Sequence, residues 1–148
     1  MCLGLIKGLD NDPMINDGFY LAPGLAELIN SLISSLCTHR WLSFRWTSLQ
    51  VNYNIVAEWH QDGNNIGTSA MLVGADFSSG EFEIEGAKPL QLRGSLVFFR
   101  GQDWHCSHPF QGCRVSIVAF THSFSPDCKQ QTLDRLQELG FCAPPVMQ

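Results

Sequence analysis

The sequence predicts a mainly β domain, a sandwich or barrel of short strands, with one helix before the strands and one after them. Three observations predict it. The stretch Thr47–Val56 alternates apolar and polar residues, the period of a strand buried on one face. From Ser69 to Thr121 short apolar runs follow one another across Gly-, Ser- and Pro-rich turns, with no helical period between them. Two flanking stretches carry helix signals instead. All of this fits in 148 residues, the length of one domain.

Taken in order, residues 1–22 read as a strand fragment and then loop, rich in Gly, Asp, Asn and Pro. Leu25, Leu28, Ile29, Leu32, Ile33 and Leu36 follow at helical spacing, so a helix is expected over about 24–37, its apolar stripe packed on a sheet. The β core is expected over about 44–122. In its first strand Leu49, Val51, Tyr53 and Ile55 share one face, while Gln50, Asn52 and Asn54 share the other. Further strands are expected at Ser69–Gly74, Glu81–Ile84, Leu90–Leu92, Ser95–Phe99, Trp104–His108 and Arg114–Thr121. Ser78-Ser79-Gly80 and Pro109-Phe110-Gln111-Gly112 read as turns, the second pairing the strands on either side of it. A last helix is expected over about 129–139, opened by Pro126-Asp127 and stopped by Gly140, with Ala143-Pro144-Pro145 as a frayed end.

Composition excludes several function classes. Apolar residues make up 45% of the chain and charged residues 16%, against roughly 25% in an average domain, which speaks against disorder. The net charge of −5 advertises no general phosphate-binding surface, although Arg40, Arg45, Arg93 and Arg100 would make a local basic patch if they converged. None of the six cysteines has Cys-x-x-Cys spacing, which argues against a zinc ribbon or redox motif. Cys106 and Cys113 are placed to meet across a hairpin; otherwise six reduced thiols are expected. No apolar run reaches the roughly 18 residues of a membrane span, and Lys7, Asp10 and Asp12 interrupt the first apolar stretch. The expected location is therefore intracellular.

The chemistry-bearing residues begin at the end of the long strand. His60 and Asp62, two apart on an extended segment, point the same way and can reach one ion. His105, far downstream, can supply the third ligand of a 2-His-1-carboxylate face, which leaves metal positions open. The bland alternative is that Asp62 caps the Gly63-Asn64-Asn65 turn. His108 competes with His105, but it stands three residues on and so faces the other side of a regular strand. His122 and His39 read as surface or capping residues. Arg114 and Ser116, again two apart, can grip a carboxylate with a guanidinium fork and a hydroxyl. An arginine in a strand as apolar as Val115–Phe120 needs a partner, either an internal Asp or Glu or a bound carboxylate.

The runs Thr47–Gly67 (TSLQVNYNIVAEWHQDGNNIG) and His105–His122 (HCSHPFQGCRVSIVAFTH) resemble the Fe(II)/2-oxoglutarate-dependent dioxygenases. They are most similar to the compact, mobile-element-associated relatives of the Ten-eleven-translocation and J-binding-protein hydroxylases. The resemblance implies a double-stranded β-helix, a cupin-like jelly-roll with one N-terminal and one C-terminal supporting helix. It implies Fe(II) held by His60, Asp62 and His105, with His105 preferred over His108 by its distance from Pro109-Phe110. It also implies 2-oxoglutarate held by Arg114 and Ser116, with Tyr53 or Asn52 adding a hydrogen bond, and Asn65 at the rim against substrate. O₂ would be the co-substrate, ascorbate a supporting reductant, and Trp59, Phe98, Phe99, Trp104 and Phe120 candidates for a dry shell around the site. The implied activity is hydroxylation or demethylation. A modified nucleic-acid base is the substrate of the nearest relatives, and the acidic charge sits poorly with it. Two other readings stand beside this one: a cupin-type metalloenzyme that does not use 2-oxoglutarate, and a degenerate jelly-roll that binds a ligand or protein without catalysis.

Overall fold

The computed structural model describes residues 1–10, 12–38 and 42–145. His39 and Arg40, expected at the helix end and in a basic patch, lie outside the described residues. The chain runs β1 (Cys2–Lys7), β2 (Pro13–Asn16), α1 (Leu25–Leu36), β3 (Ser48–Tyr53), β4 (Asn65–Gly74), β5 (Phe77–Ser79), β6 (Phe82–Ile84), β7 (Val97–Arg100), β8 (His105–Ser107), β9 (Phe110–Gly112), β10 (Val115–His122), a 3-10 turn (Ser125–Asp127) and α2 (Gln130–Glu138). The fold is mainly β and of the jelly-roll type. An antiparallel sheet in the order β2-β1-β3-β10-β4-β7 faces two short ladders, β5-β9 and β6-β8.

Strand alternation divides the molecule into layers. Leu49, Ala70, Leu72 and Ala119 turn one way, onto Ala26, Ile29 and Ile33 of α1 and Leu133 and Leu136 of α2. Met71, Val73 and Phe99 turn the other way, onto Phe77, Phe82 and Leu92 on the ladder side. Leu136 is fully buried, so Leu136→Ala would cost about 2–5 kcal/mol. The two helices are pinned by one amide. Asn30, with no exposed surface, donates to the Leu139 carbonyl at 2.8 Å and accepts from Trp46 Nε1 at 2.8 Å. Gly140 ends α2 at φ 82°, and a Cβ there would come within 3.1 Å of Asn30 Cβ.

Several expectations need correction. The buried stripe of α1 is Ala26, Ile29, Asn30 and Ile33, while Leu28 is 69% exposed; the polar Asn30 tolerates burial because its amide oxygen and nitrogen are each hydrogen-bonded. The N-terminal stretch is a strand pair, β1 with β2, that extends the large sheet by pairing with β3. β4 starts at Asn65 rather than Ser69, because Gly67 takes φ 70° and the register with β10 shifts between Ala119 and Thr121, a bulge rather than a turn. Leu90–Leu92, between Pro89 and Gly94, shrinks to a single bridge with Phe82. The C-terminal stretch is held as far as Ala143, which packs against the core behind buried Phe141 and Cys142, whose carbonyl accepts from the Trp46 N–H. The segments read as turns, Ser78-Ser79 and Phe110–Gly112, are the paired strands β5 and β9. As a result β8 and β10 are not sheet neighbours: β8 pairs with β6, and β10 lies between β3 and β4. His105 on β8 and Arg114, just ahead of β10, therefore line one cavity from opposite sides. Arg45 and Arg93 bond to the carbonyls of Phe44 and Phe77 in different layers, so they join no common patch. All six cysteines are free, including Cys106 and Cys113. Among the described residues no helix is long and apolar enough to cross a membrane.

Candidate metal centre

β3 ends at Tyr53, and the chain then crosses to the ladder side, where His60 bridges His105 antiparallel. Each of the two N–H groups donates to the other residue's carbonyl at 3.0 Å. Asp62 N–H donates to the Gly101 carbonyl at 2.7 Å, so all three candidate ligands sit on bonded main chain. The donor atoms of His60, Asp62 and His105 lie within 4.8 Å of one another. His60 Nε2 is 3.5 Å from Asp62 Oδ1, and His105 Nε2 is 3.7 Å from Asp62 Oδ2.

The tautomers are set from outside. His60 Nδ1 lies 2.7 Å from the Glu58 carbonyl, and His105 Nδ1 lies 2.7 Å from the Asp103 carbonyl. A carbonyl only accepts, so each Nδ1 carries its proton and each Nε2 presents a lone pair to the centre. The rings of Phe82 and Phe99 pack against His105 at centroid distances of 5.7 and 5.1 Å, fixing the more buried ligand. This arrangement can hold one divalent ion by one face and leave the opposite face open. His108 is not part of it: its Nε2 bonds to Glu83 Oε2 at 2.6 Å, as alternation along β8 requires.

Two residues that hold Asp62 carried little sequence signal. Asn65, expected at the rim, is instead only 5% exposed, and its Nδ2 donates to Asp62 Oδ2 at 3.0 Å, with Ser69 Oγ at 3.4 Å. It opens β4 and so points inward, a positioning residue for the carboxylate. Gly101 lets the chain approach this pair: a Cβ would meet Asn65 Nδ2 at 3.0 Å and Asp62 Cβ at 3.2 Å.

A cavity of about 380 Å³ adjoins the triad and continues between the sheets to Arg114 and Ser116. Arg114 is 3% exposed. Its main-chain N–H donates to Asn54 Oδ1 at 2.8 Å and one Nη reaches the Ile55 carbonyl at 3.5 Å, but its buried Nε has no hydrogen-bond partner. Among the described residues no carboxylate pairs with it. Its guanidinium lies over the rings of Phe77 and Phe110, at 5.8 and 5.6 Å, and burial lowers its pKa from the usual arginine value. A buried cation of this kind is expensive unless an anion joins it. Beside it Ser116 Oγ accepts from Asn52 Nδ2 at 3.4 Å, and Asn52 Oδ1 accepts from Gln50 Nε2 at 2.9 Å. The amide row of β3 thus lines the cavity. Tyr53 does not: alternation turns it outward, 64% exposed, with its hydroxyl 3.5 Å from Cys113 Sγ. Phe99 and Phe120 line the cavity. Phe98 faces the helices, and Trp59 and Trp104 are each nearly half exposed.

No protein-family model and no curated protein matches this sequence. A solved structure does match: NgTET1 in complex with 5mC DNA, with a TM-score of 0.67 and 17% identity, over 93% of this chain and 68% of that one. The resemblance carried by the two motifs thus extends to the fold, which this chain shares with a TET protein across nearly all its length.

Proposed function

We propose that this protein is an Fe(II)- and 2-oxoglutarate-dependent dioxygenase. The observation that carries the reading is Arg114, a buried guanidinium with an unmatched Nε and no carboxylate partner among the described residues, in the same cavity as a His-Asp-His donor set. The donor set fits Fe(II), and the orphaned guanidinium fits the far carboxylate of 2-oxoglutarate. When bound together, Fe(II), 2-oxoglutarate and O₂ supply oxidative decarboxylation of the oxo acid coupled to oxidation of a substrate C–H bond.

The chain's own residues do the rest. His60, Asp62 and His105 would hold the metal by one face, with Nδ1 protons held on the Glu58 and Asp103 carbonyls. Arg114 would give two N–H groups to the co-substrate carboxylate, and the Ser116 hydroxyl, already an acceptor from Asn52, has its own proton free to donate. Phe82, Phe99, Val118 and Phe120 line the cavity with apolar surface that excludes water. The substrate we assign is a methylated nucleic-acid base. The 5mC DNA bound by NgTET1 supports this reading, and the net charge of −5 weighs against tight binding to the phosphate backbone.

The test is to load the purified protein anaerobically with Fe(II) and 2-oxoglutarate, admit O₂ and quantify succinate, with and without 5-methylcytosine DNA. Thermal shift is run alongside, because a ligand specific for the native state adds about 2.7 kcal/mol at 100 times its dissociation constant. Succinate that depends on iron supports the reading, and its increase with DNA supports the base. A metal shift without a 2-oxoglutarate shift points to a cupin-type metalloenzyme, and no shift with either ligand overturns the proposal.

A further inference from the structure

The β6-β8 ladder has two faces, and the triad uses one of them. Its register pairs Phe82 with Ser107, Glu83 with Cys106 and Ile84 with His105. His105, Ser107 and Phe82 line the cavity, which Cys106, between the first two on β8, also borders. Alternation turns Glu83, Cys106 and His108 the other way. On that side the carboxylate of Glu83, the thiol of Cys106 and a ring nitrogen of His108 lie within 4.8 Å of one another. We infer that Glu83, Cys106 and His108 form a second divalent-metal site, of the zinc class, which clips β6 to β8 behind His105.

Three features of the cluster argue for a metal. It contains one sulfur, one nitrogen and one oxygen donor, each from a different residue type, so it is not a patch of like charges relieved by solvent. A thiolate with an imidazole and a carboxylate suits Zn(II) or Co(II) far better than Mg(II), Ca(II) or Mn(II). The three donors stand at graded depth: Cys106 is buried, 7% exposed, while the side chains of Glu83 and His108 keep 25% and 39% of their surface. Cys106 thus forms the floor and the other two form walls open to solvent, from which a water would complete four coordination. Glu83 Oε2 and His108 Nε2 already converge at 2.6 Å, joined by one hydrogen-bonding proton. The ion would take the place of that proton and of the thiol proton, both released to solvent.

The location gives the site a role. Glu83 and Cys106 directly oppose each other across the ladder, and His108 leaves the end of β8. A metal here would cross-link the short strand that carries His105, whose own pairing with β6 extends over only three residues. The inference does not rest on the oxygenase reading, since it uses none of the triad's side chains.

The experiment is a Co(II) titration of the full chain under reducing conditions, followed by visible and near-ultraviolet absorption, with Zn(II) as competitor. The expected result is one thiolate-to-Co(II) charge-transfer band per chain, bleached by stoichiometric Zn(II) and retained in Asp62→Ala, which separates it from the triad. Cys106→Ser should abolish the band. Glu83→Gln and His108→Gln, at partly exposed positions where folding is not at stake, should each weaken Zn(II) binding by about tenfold or more, since loss of even an outer partner costs 10- to 100-fold. Absence of a thiolate band in the wild type overturns the inference. So does a band that survives Cys106→Ser, because another cysteine would then be the donor, and so does unchanged Zn(II) affinity in His108→Gln, because the imidazole would then not be a ligand.

Discussion

His60 and His105 are joined twice through their main chains, at 3.0 Å in each direction, and their rings stand 4.3 Å apart. Two donors that the sequence separates widely thus share one rigid bridge, and Asp62 is anchored beside it on Gly101. A site built this way needs little reorganisation to take an ion. Mn(II), which disfavours the thiolate of the Glu83 cluster, is the probe for it. Wild type is expected to bind one Mn(II) in anaerobic electron paramagnetic resonance titrations, and His60→Ala to weaken it by about 100-fold or more, beyond what outer partners cost. His60 is the candidate ligand to replace because it is partly exposed, so its loss leaves the core intact. Undiminished Mn(II) binding by His60→Ala would remove this residue from the ligand set.

Much of this centre was legible in the sequence because it depends on short-range geometry. His60 and Asp62 share a direction by alternation, and so do Arg114 and Ser116. The same rule, applied to His105 and His108, sent them to opposite faces, where they are found. The rule also separates Asn52, which lines the cavity, from Tyr53, which faces outward. Asn65 was misplaced for a different reason: an Asn-Asn pair before Gly67 looks like a turn until β10 supplies a partner for it, and that partner is remote in sequence. β5 and β9 were hidden for the same reason, since each is three residues long and is a strand only by virtue of the other. Gly101 has no side chain to signal that Asp62 and Asn65 crowd against it.

Asn65 gives the next prediction. Its amide holds Asp62 Oδ2 at 3.0 Å from a buried position. Asn65→Ala should lower Mn(II) affinity by about 10- to 100-fold, while costing roughly 1 kcal/mol of stability for the lost hydrogen bond. A purely structural asparagine would lose the stability and leave metal affinity unchanged, and the paired urea and metal titrations distinguish the two.

Gly101 tests the same carboxylate by steric means. Its backbone is not in the left-handed region, so alanine is disfavoured there only by the neighbours, Asn65 Nδ2 at 3.0 Å and Asp62 Cβ at 3.2 Å. Gly101→Ala should cost about 1–3 kcal/mol and push the Asp62–Asn65 pair out of place. Metal affinity should fall with stability. A variant as stable as wild type that binds Mn(II) normally would mean that the pair can yield without consequence.

Arg114 makes an opposite prediction for stability and for function. Its buried Nε is unmatched and, among the described residues, no carboxylate offsets its charge. Arg114→Met keeps the aliphatic length over Phe77 and Phe110 and removes the uncompensated group, so the ligand-free protein should gain about 1 kcal/mol or more. The same variant should lose the thermal shift with 2-oxoglutarate and keep that with metal. Arg114→Lys should also lose most of the 2-oxoglutarate shift, because an ammonium cannot reproduce the two-pronged contact. Destabilisation by Arg114→Met, with the 2-oxoglutarate response intact, would make the arginine a structural residue.

His122 supplies a test of the fold away from the centre. Of the two roles the sequence allows it, surface or capping, it takes the second: it is 7% exposed at the end of β10, stacked on Phe124 at 4.7 Å, with its Nδ1 accepting from the Phe124 N–H at 3.2 Å. That bond requires a neutral ring, and burial pushes the pKa of His122 below its ordinary value of 6.5. The unfolded chain therefore takes up a proton first as the pH falls. The unfolded state binds more protons in this window, so stability rises with pH there. The contribution is fully present above the ordinary value and is lost as the pH drops from it through the lowered folded value. His122→Asn keeps an acceptor for the Phe124 N–H and does not titrate. Urea midpoints measured between about pH 7.5 and pH 5 should fall less steeply for His122→Asn than for wild type. Equal slopes for the two proteins would show that His122 titrates alike in the folded and unfolded states, and that its burial is relieved by a motion of the β10 end.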